Sequence, residues 1–396
     1  MNIFKRKNKD LAHPATTMSF DKLYKGLMKR VESGLINIQK HRGLEIFSYS
    51  KSCVYEGAWD KFTVAARGLI LCPHFQHKKI VGLAFPKFWN YGEVSTKLPN
   101  LGFRAFTKYD GSLGICFFNE GKWQVATKGS FQSEQAVWAT DYLNKYASLD
   151  DMDPNITYLT EIIVPWNKIV VSYSFSGLVL LSGYHLDSGI ELTRDEVIAE
   201  TTAIGFIKSK EENYVSLDDM LVAAETLDSD NEGFVVRFSN GYRIKIKGSE
   251  YCRIHRLISN CTPLAIWDMM RNLDDLDVIR VDLPEEHQRD FDKIRSLLLV
   301  EFYKYIDEII RIYEDTIDLS DKELGLKLKA GELNKYSKVA RGFVFACRKR
   351  NFLIDVYKVP ESKSKNVRNA LFEAFRPVGN VLEGFNESSA EDRFDL

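Results

Sequence analysis

The sequence predicts an α+β protein in which a strand-rich N-terminal part is followed by an all-helical C-terminal part. Up to about residue 255, short alternating or apolar runs at 44–49, 68–72, 80–85 and 178–182 are separated by Gly, Pro, Asn and Asp, the punctuation of antiparallel sheets. Beyond about 260 the texture changes. Phe302, Tyr305, Ile306, Ile309 and Tyr313 recur at helical spacing, Phe343, Cys347 and Phe352 fall in a second such pattern, and few turn signals interrupt them. A length of 396 residues suits about two domains. The expected domains are therefore 1–258 and 259–396.

Taken in order, residues 19–40 and 133–147 read as helices flanking the sheets, and 186–230 mixes charged helical pattern with loop. The last residues, from Asn386, are polar and acidic-leaning, as a frayed end would be. No internal repeat is visible.

A net charge of −1 hides local asymmetry, so it neither favours nor excludes a polyanionic partner. Six scattered cysteines without a Cys-x-x-Cys pair suggest no disulfide framework and a reducing compartment. The stretch Cys72-Pro73-His74-Phe75-Gln76-His77 is readable as a metal knuckle, but no second ligand pair follows at zinc spacing. The basic start, residues 1–10, is not followed by an apolar stretch of signal-peptide length, and no run of about 18 apolar residues occurs. The expectation is a cytoplasmic protein without a membrane segment, in the host cytoplasm if phage-encoded.

The most informative stretch is Phe106-Thr107-Lys108-Tyr109-Asp110-Gly111-Ser112-Leu113. A lysine ends a short strand, an acid lies two residues on, and a glycine permits close backbone or phosphate approach. Lysine attacks phosphorus only as the neutral amine. A site crowded with other cations would lower its pKa and also hold a triphosphate. Alone, the tetrapeptide Lys-x-Asp-Gly also suits a turn with a solvated lysine.

Its company adds weight. From Asn231 to Lys247 the chain reads as a hairpin closed by Asn240-Gly241. With a two-residue turn, Lys245 and Lys247 would lie opposite Val236 and Phe234, and Arg243, Lys245, Lys247 and Glu232 would share one face. Two lysines beside a carboxylate on a rigid sheet suit a triphosphate and its metal. An exposed edge with solvated lysines is the bland alternative.

Together these residues resemble the covalent nucleotidyltransferases, the group of DNA ligases, RNA ligases and messenger-RNA capping enzymes. From about residue 44 to 275 the chain closely resembles the phage-type RNA ligase 1 family of tRNA-repair ligases. The resemblance implies that Tyr49, Arg67 and Lys87 contact the nucleotide and that Lys108 is adenylated. A tryptophan, Trp89, replaces the second aromatic of the family's Lys-Phe-Phe-Asn segment after Lys87. Lys128 matches an essential lysine and Glu161 the glutamate that holds the ribose. Glu232, Lys245 and Lys247 match the last two motifs, followed by Tyr251, and Asp274, in the pair Asp274-Asp275, falls where the family places a metal-associated aspartate.

What the resemblance implies is an adenylation domain of antiparallel sheets with flanking helices, ATP as co-substrate and Mg²⁺ or Mn²⁺ held by Glu232 and Asp274. RNA with 5′-phosphate and 3′-hydroxyl ends, including nicked tRNA, would be sealed through a lysyl-AMP on Lys108 and an RNA-adenylate. A polynucleotide kinase-phosphatase is the implied functional partner. DNA ligases and capping enzymes normally follow this domain with an OB-fold barrel, which would read as short strands; helical pattern here favours the RNA ligase branch. The alternatives are another covalent nucleotidyltransferase, a DNA ligase or a capping guanylyltransferase, or a non-catalytic nucleic-acid-binding relative.

From Lys322 to Arg368, thirteen Lys/Arg face four Asp/Glu, densest at Arg348-Lys349-Arg350 and near Phe343, Phe345, Phe352 and Tyr357. Such an excess suits either RNA docking or a solvated helix face.

Overall fold

The structure is a computed structural model that describes residues 11–74, 78–93, 98–348, 352–357 and 367–385. The basic start, His77 of the knuckle, the Lys349-Arg350 pair and the tail from Asn386 lie outside the described residues. The chain divides into two compact units, Met1–Cys252 and Arg253–Leu396.

The first unit begins its strands with β1 (Ile36–His41), β2 (Leu44–Tyr49), β3 (Arg67–Cys72) and β4 (Lys79–Gly82). Next come β5 (Trp89–Asn90), β6 (Phe103–Thr107), β7 (Ser112–Asn119) and β8 (Lys122–Ala126). Then follow β9 (Ile156–Ile163), β10 (Gly177–His185), β11 (Ile207–Lys208) and β12 (Glu211–Glu212). The hairpin β13 (Gly233–Phe238) and β14 (Arg243–Lys247) completes the set. Sheet I has the order β1-β2-β3-β4, sheet II β11-β10-β9-β7-β8 and sheet III β12-β6-β13-β14-β5. Pairing is antiparallel except at β10–β11 and β14–β5.

The helix expected over 19–40 stops early. It spans Phe20–Glu32, and Gly34, with φ of 75°, turns the chain so that Ile36–His41 pairs with β2. Alternation then sends Ile36 into the core, where helical periodicity had been read. The run at 80–85 likewise pairs only as far as Gly82. The second expected helix forms as Glu134–Tyr146, its start capped by the Ser133 hydroxyl accepting from the Ala136 N–H. Within 186–230 the helices are Arg194–Ile204 and Leu217–Thr226.

Hairpin β13–β14 also differs from expectation. Val235 faces Lys245 and Gly233 faces Lys247, one residue away from the register of a two-residue turn. The loop holds three residues, 239–241, with Phe238 N–H donating to Tyr242 O and Gly241 at φ of 81°. The slip leaves Phe234, Val236, Ile244 and Ile246 on the buried face and Lys245 and Lys247 on the other.

In the second unit the helix Glu285–Asp315 buries Phe291, Ile294, Leu298, Phe302, Ile306, Ile309 and Ile312, each contributing about 1.5–3 kcal/mol. Their spacing is the helical stripe read from the sequence. This stripe packs on the helix Lys338–Cys347, among others. The described residues of this unit form helices and two isolated bridges, Val378–Val381 and Leu382–Phe385. The α+β class thus stands as expected, antiparallel sheets first and helices after. No helix among the described residues is long and apolar enough to cross a membrane.

Candidate active site

Lys108 follows the last residue of β6, and its N–H donates to Gly233 O at 2.8 Å. That bond sets it beside Glu232. The Lys108 Nζ lies 2.5 Å from Glu232 Oε2, and Lys247 Nζ lies 3.3 Å from Oε1. Strict alternation would send Glu232 to the core face with Phe234 and Val236. Gly233, at φ of 131°, breaks the alternation, and a Cβ there would come within 2.1 Å of Ile246 O. Only glycine fits this kink.

The loop after Lys108 is tied down by Asp110. Its carboxylate accepts from Tyr251 Oη at 2.8 Å and from the N–H groups of Val170 and Val171 at 2.9 Å. The Asp110 N–H in turn donates to Tyr173 Oη. Gly111 brings the same loop against β9, where a Cβ would meet Ile162 O at 2.5 Å. Glu161, on β9, is consequently held close enough to act electrostatically on Lys108.

The electrostatics correct the expectation for Lys108. Burial opposes its charge, but Glu232, Glu161 and Asp110 outweigh burial, and its pKa ends above the ordinary lysine value. The lysine that cations do crowd is Lys245. Burial first, then Arg67, Lys108, Lys87 and Lys247, lower it to about 6. Glu161 moves the other way: burial pushes it to about 7, assisted by Glu232 and opposed by Lys108 and Arg67.

Beyond Lys245 the site continues as a row of cations and rings. Lys245 Nζ sits 5.0 Å from the Phe88 ring centroid and the Arg67 guanidinium 5.5 Å from the same ring. The Arg67 Nη1 is buried without a hydrogen-bond partner. Lys87, buried, lies 5.2 Å from the Trp59 ring, 5.8 Å from Tyr49 and 6.0 Å from Trp89. Lys128 Nζ lies 4.6 Å from the Tyr49 ring. The structure therefore places Tyr49, Arg67, Lys87, Lys108, Lys128, Glu161, Glu232, Lys245 and Lys247 in the first unit, linked by these contacts.

Asp274 belongs to the second unit, in the turn after the helix Pro263–Asn272, where its N–H donates to Met269 O. Its neighbour Asp275 caps the helix Leu276–Asp282 by accepting from the Asp277 and Val278 N–H groups. Among the described residues, no group of three or more His, Cys, Asp or Glu side chains is arranged to hold a metal ion. Sequence reasoning did not single out Trp59 or Tyr173, which carry no motif, and it gave Asp110 no anchoring role.

Residues 65–251 match the family model described as RNA ligase, a stretch that encloses Arg67, Lys108, Glu161, Glu232 and both hairpin lysines. By class, then, the chain is an RNA ligase. Over that stretch, just under half of the chain, it resembles the phage-type RNA ligase family. The RNA ligase of Rhodothermus phage RM378 is 21% identical over 311 residues, covering 60% of this chain and 70% of that protein. A "Putative bifunctional polynucleotide kinase/RNA ligase" of Autographa californica nuclear polyhedrosis virus is 26% identical over 225 residues, 49% of this chain and 31% of that longer relative. Among solved structures, an archaeal ATP-dependent RNA ligase is 13% identical with a TM-score of 0.46, covering 70% of this chain and 79% of that one. A mutant of the Naegleria gruberi RNA ligase with ATP and Mn is 15% identical with a TM-score of 0.32, covering 39% and 51%.

Proposed function

We propose that this RNA ligase uses ATP to join RNA 5′-phosphate and 3′-hydroxyl ends through a lysyl-AMP on Lys108 and then an RNA-adenylate, in the repair of nicked tRNA. The observation that supports this reading most is the pairing of Lys108 with Glu232 at the head of the cation row Lys245, Arg67 and Lys87. A lysine whose charge is opposed first by burial and then by neighbouring cations suits a bound polyanion better than an empty site.

The Lys108 ammonium sheds its proton before attack. Glu161, held near 7, is the facing carboxylate with capacity to take one at neutral pH. The Lys108 Nζ then forms a bond to the α-phosphorus of ATP while the bond from that phosphorus to the β-bridging oxygen breaks, and pyrophosphate leaves with the electron pair. Lys245 and Lys247 stabilise the charge developing on the α-phosphate. Arg67 and Lys87, with Tyr49 and Lys128 beside them, hold the nucleotide. Glu232, the carboxylate beside the nucleophile, would be the residue to hold a Mg²⁺ or Mn²⁺ ion. Such an ion, when bound, offsets charge on the departing pyrophosphate. An RNA 5′-phosphate next takes AMP from Lys108, and an RNA 3′-hydroxyl displaces AMP to seal the strand.

The test is to incubate the protein with α-labelled ATP or GTP and then chase with 5′-phosphorylated RNA or DNA ends. Label should enter the protein from ATP and pass to RNA. Label from GTP alone, or transfer only to DNA, would replace this reading with a capping enzyme or a DNA ligase.

The second unit is proposed to dock tRNA, on a smaller set of cations than its composition suggested. The Arg348 guanidinium donates to the carbonyls of Thr316 and Leu319, and Arg368 is buried against those of Met270, Arg271 and Val356. Both serve as internal pins. Lys322, Lys329 and Lys338 are exposed. Replacing all three with Ala is expected to leave self-adenylation unchanged and weaken sealing of nicked tRNA. The slope of tRNA affinity against salt should become shallower by about one for each phosphate no longer neutralised. Unchanged tRNA sealing across salt concentrations would remove this unit from the docking surface. The polynucleotide kinase in the name of the Autographa californica nuclear polyhedrosis virus relative supports a kinase-phosphatase partner that prepares the ends.

A further inference from the structure

Arg243 opens β14, two residues before Lys245 and four before Lys247 on the same face, and it is as buried as a core side chain. Its guanidinium grips Glu191 Oε1 through Nη2. Glu191 Oε2 lies 3.0 Å from Arg237 Nε, and Arg237 is the residue directly opposite Arg243 in the hairpin. The Ser182 hydroxyl donates to Glu191 Oε1 at 2.7 Å. One buried carboxylate thus joins both strands of the hairpin to β10, since Glu191 bridges to Tyr184 and Ser182 lies in β10 itself.

The position of this clasp matters for what flanks it. Strand β10 pairs with β9, where Val179 faces Glu161 and Ser182 faces Leu159. The Arg243 guanidinium also lies 4.6 Å from the Phe85 ring centroid, and Phe85 immediately precedes Pro86-Lys87. Three segments that carry site residues meet here: β14 with Lys245 and Lys247, β9–β10 with Glu161, and 85–87 with Lys87. On its outer side β14 is paired only with the two-residue β5, which offers little to hold its register. Among the described residues, the ion pairs and the serine hydrogen bond of the clasp run between Arg243, Glu191, Arg237 and Ser182, none of which is assigned to the nucleotide.

We propose that the Arg243–Glu191–Arg237 clasp is a positioning device for self-adenylation, holding the strand of Lys245 and Lys247 in register with the sheet that carries Glu161. It rests on the adenylation reading given above. A carboxylate between two guanidiniums fixes angle as well as distance, because planar groups bond along set directions. A displacement of about 1 Å at a phosphate-binding lysine lowers the rate by up to ~10²-fold.

Glu191→Gln keeps the shape and removes the charge, and Arg243→Met removes the grip. Single-turnover formation of the protein–AMP adduct at saturating ATP, well below each variant's unfolding midpoint, should slow by ~10–10²-fold while the KM for ATP moves little. Arg243→Lys, which keeps one ionic contact, should recover most of the missing rate. Should either variant fail to fold, Arg237→Met takes its place, since the Arg237 side chain is partly exposed and its removal leaves the Arg243 grip intact. Wild-type adduct rates in the folded variants, or a decrease matching only the unfolded fraction, would show the clasp to be structural alone. If the unmodified protein forms no adduct, the functional reading fails instead, and the two results are distinguishable.

Discussion

Lys108→Ala protein, given α-labelled ATP and a divalent metal, is expected to carry no label after denaturing electrophoresis, and Lys108→Arg none either. The adduct needs a nitrogen that can be neutral and sit against the α-phosphorus, and arginine does not lose its proton. Other lysines stand nearby, but each is placed for something else. Lys247 leans on the second oxygen of Glu232, and Lys245 and Lys87 lie over aromatic rings farther along the row. Folding should survive, because Glu232 keeps its ion pair with Lys247 and Lys108 lies outside the hydrophobic clusters. The control is a thermal unfolding midpoint close to that of the parent. Label that persists on a folded Lys108→Ala protein would transfer the nucleophile's role to another residue and undo the mechanism.

Much of this site was readable because its chemistry is local in sequence. Lys108 ends a strand, and the spacing of Lys245 and Lys247 puts them on one face whichever residue opposes them. What was not readable depended on geometry between distant segments. The hairpin slipped by one residue because Gly241 takes a left-handed conformation at the end of a three-residue loop, a choice that Asn-Gly alone does not settle. That slip would have turned Glu232 away from the lysines, and the kink at Gly233 brings it back. Two deviations, each invisible to alternation, cancel. The helix read over 19–40 failed for a similar reason, since Gly34 ends it and the following isoleucines serve a strand as well as a helix.

Charge was the least legible property. Counting lysines around Lys108 suggested a cationic environment, whereas the fold gives it three carboxylates and leaves the crowding to Lys245. The same lesson holds in the second unit, where Arg348 and Arg368 count as basic in the sequence yet spend their donors on carbonyl oxygens. Exposure and partners decide what a charge is available for, and neither can be read from composition.

Lys245→Met is expected to move activity and stability in opposite directions. In the folded, nucleotide-free protein Lys245 has a pKa of about 6, against an ordinary lysine value near 10 in the unfolded chain. Between these values the unfolded state binds the extra proton, so stability rises with pH across that window and the lysine opposes folding most toward its acid end. At pH 7 a methionine of similar length carries no such penalty, and the variant's thermal midpoint should lie above the parent's, by a margin that shrinks toward pH 10. Adenylation should fall by ~10²–10³-fold, the usual effect of removing one preorganised charge from a reacting phosphate. The two outcomes share one cause. Burial beside Arg67, Lys87, Lys108 and Lys247 makes the Lys245 charge costly in the empty site, and the α-phosphate is the anion that makes it favourable. A Lys245→Met protein that is no more stable than its parent and forms the adduct at the parent's rate would show that this amine neither bears the strain nor meets the phosphate.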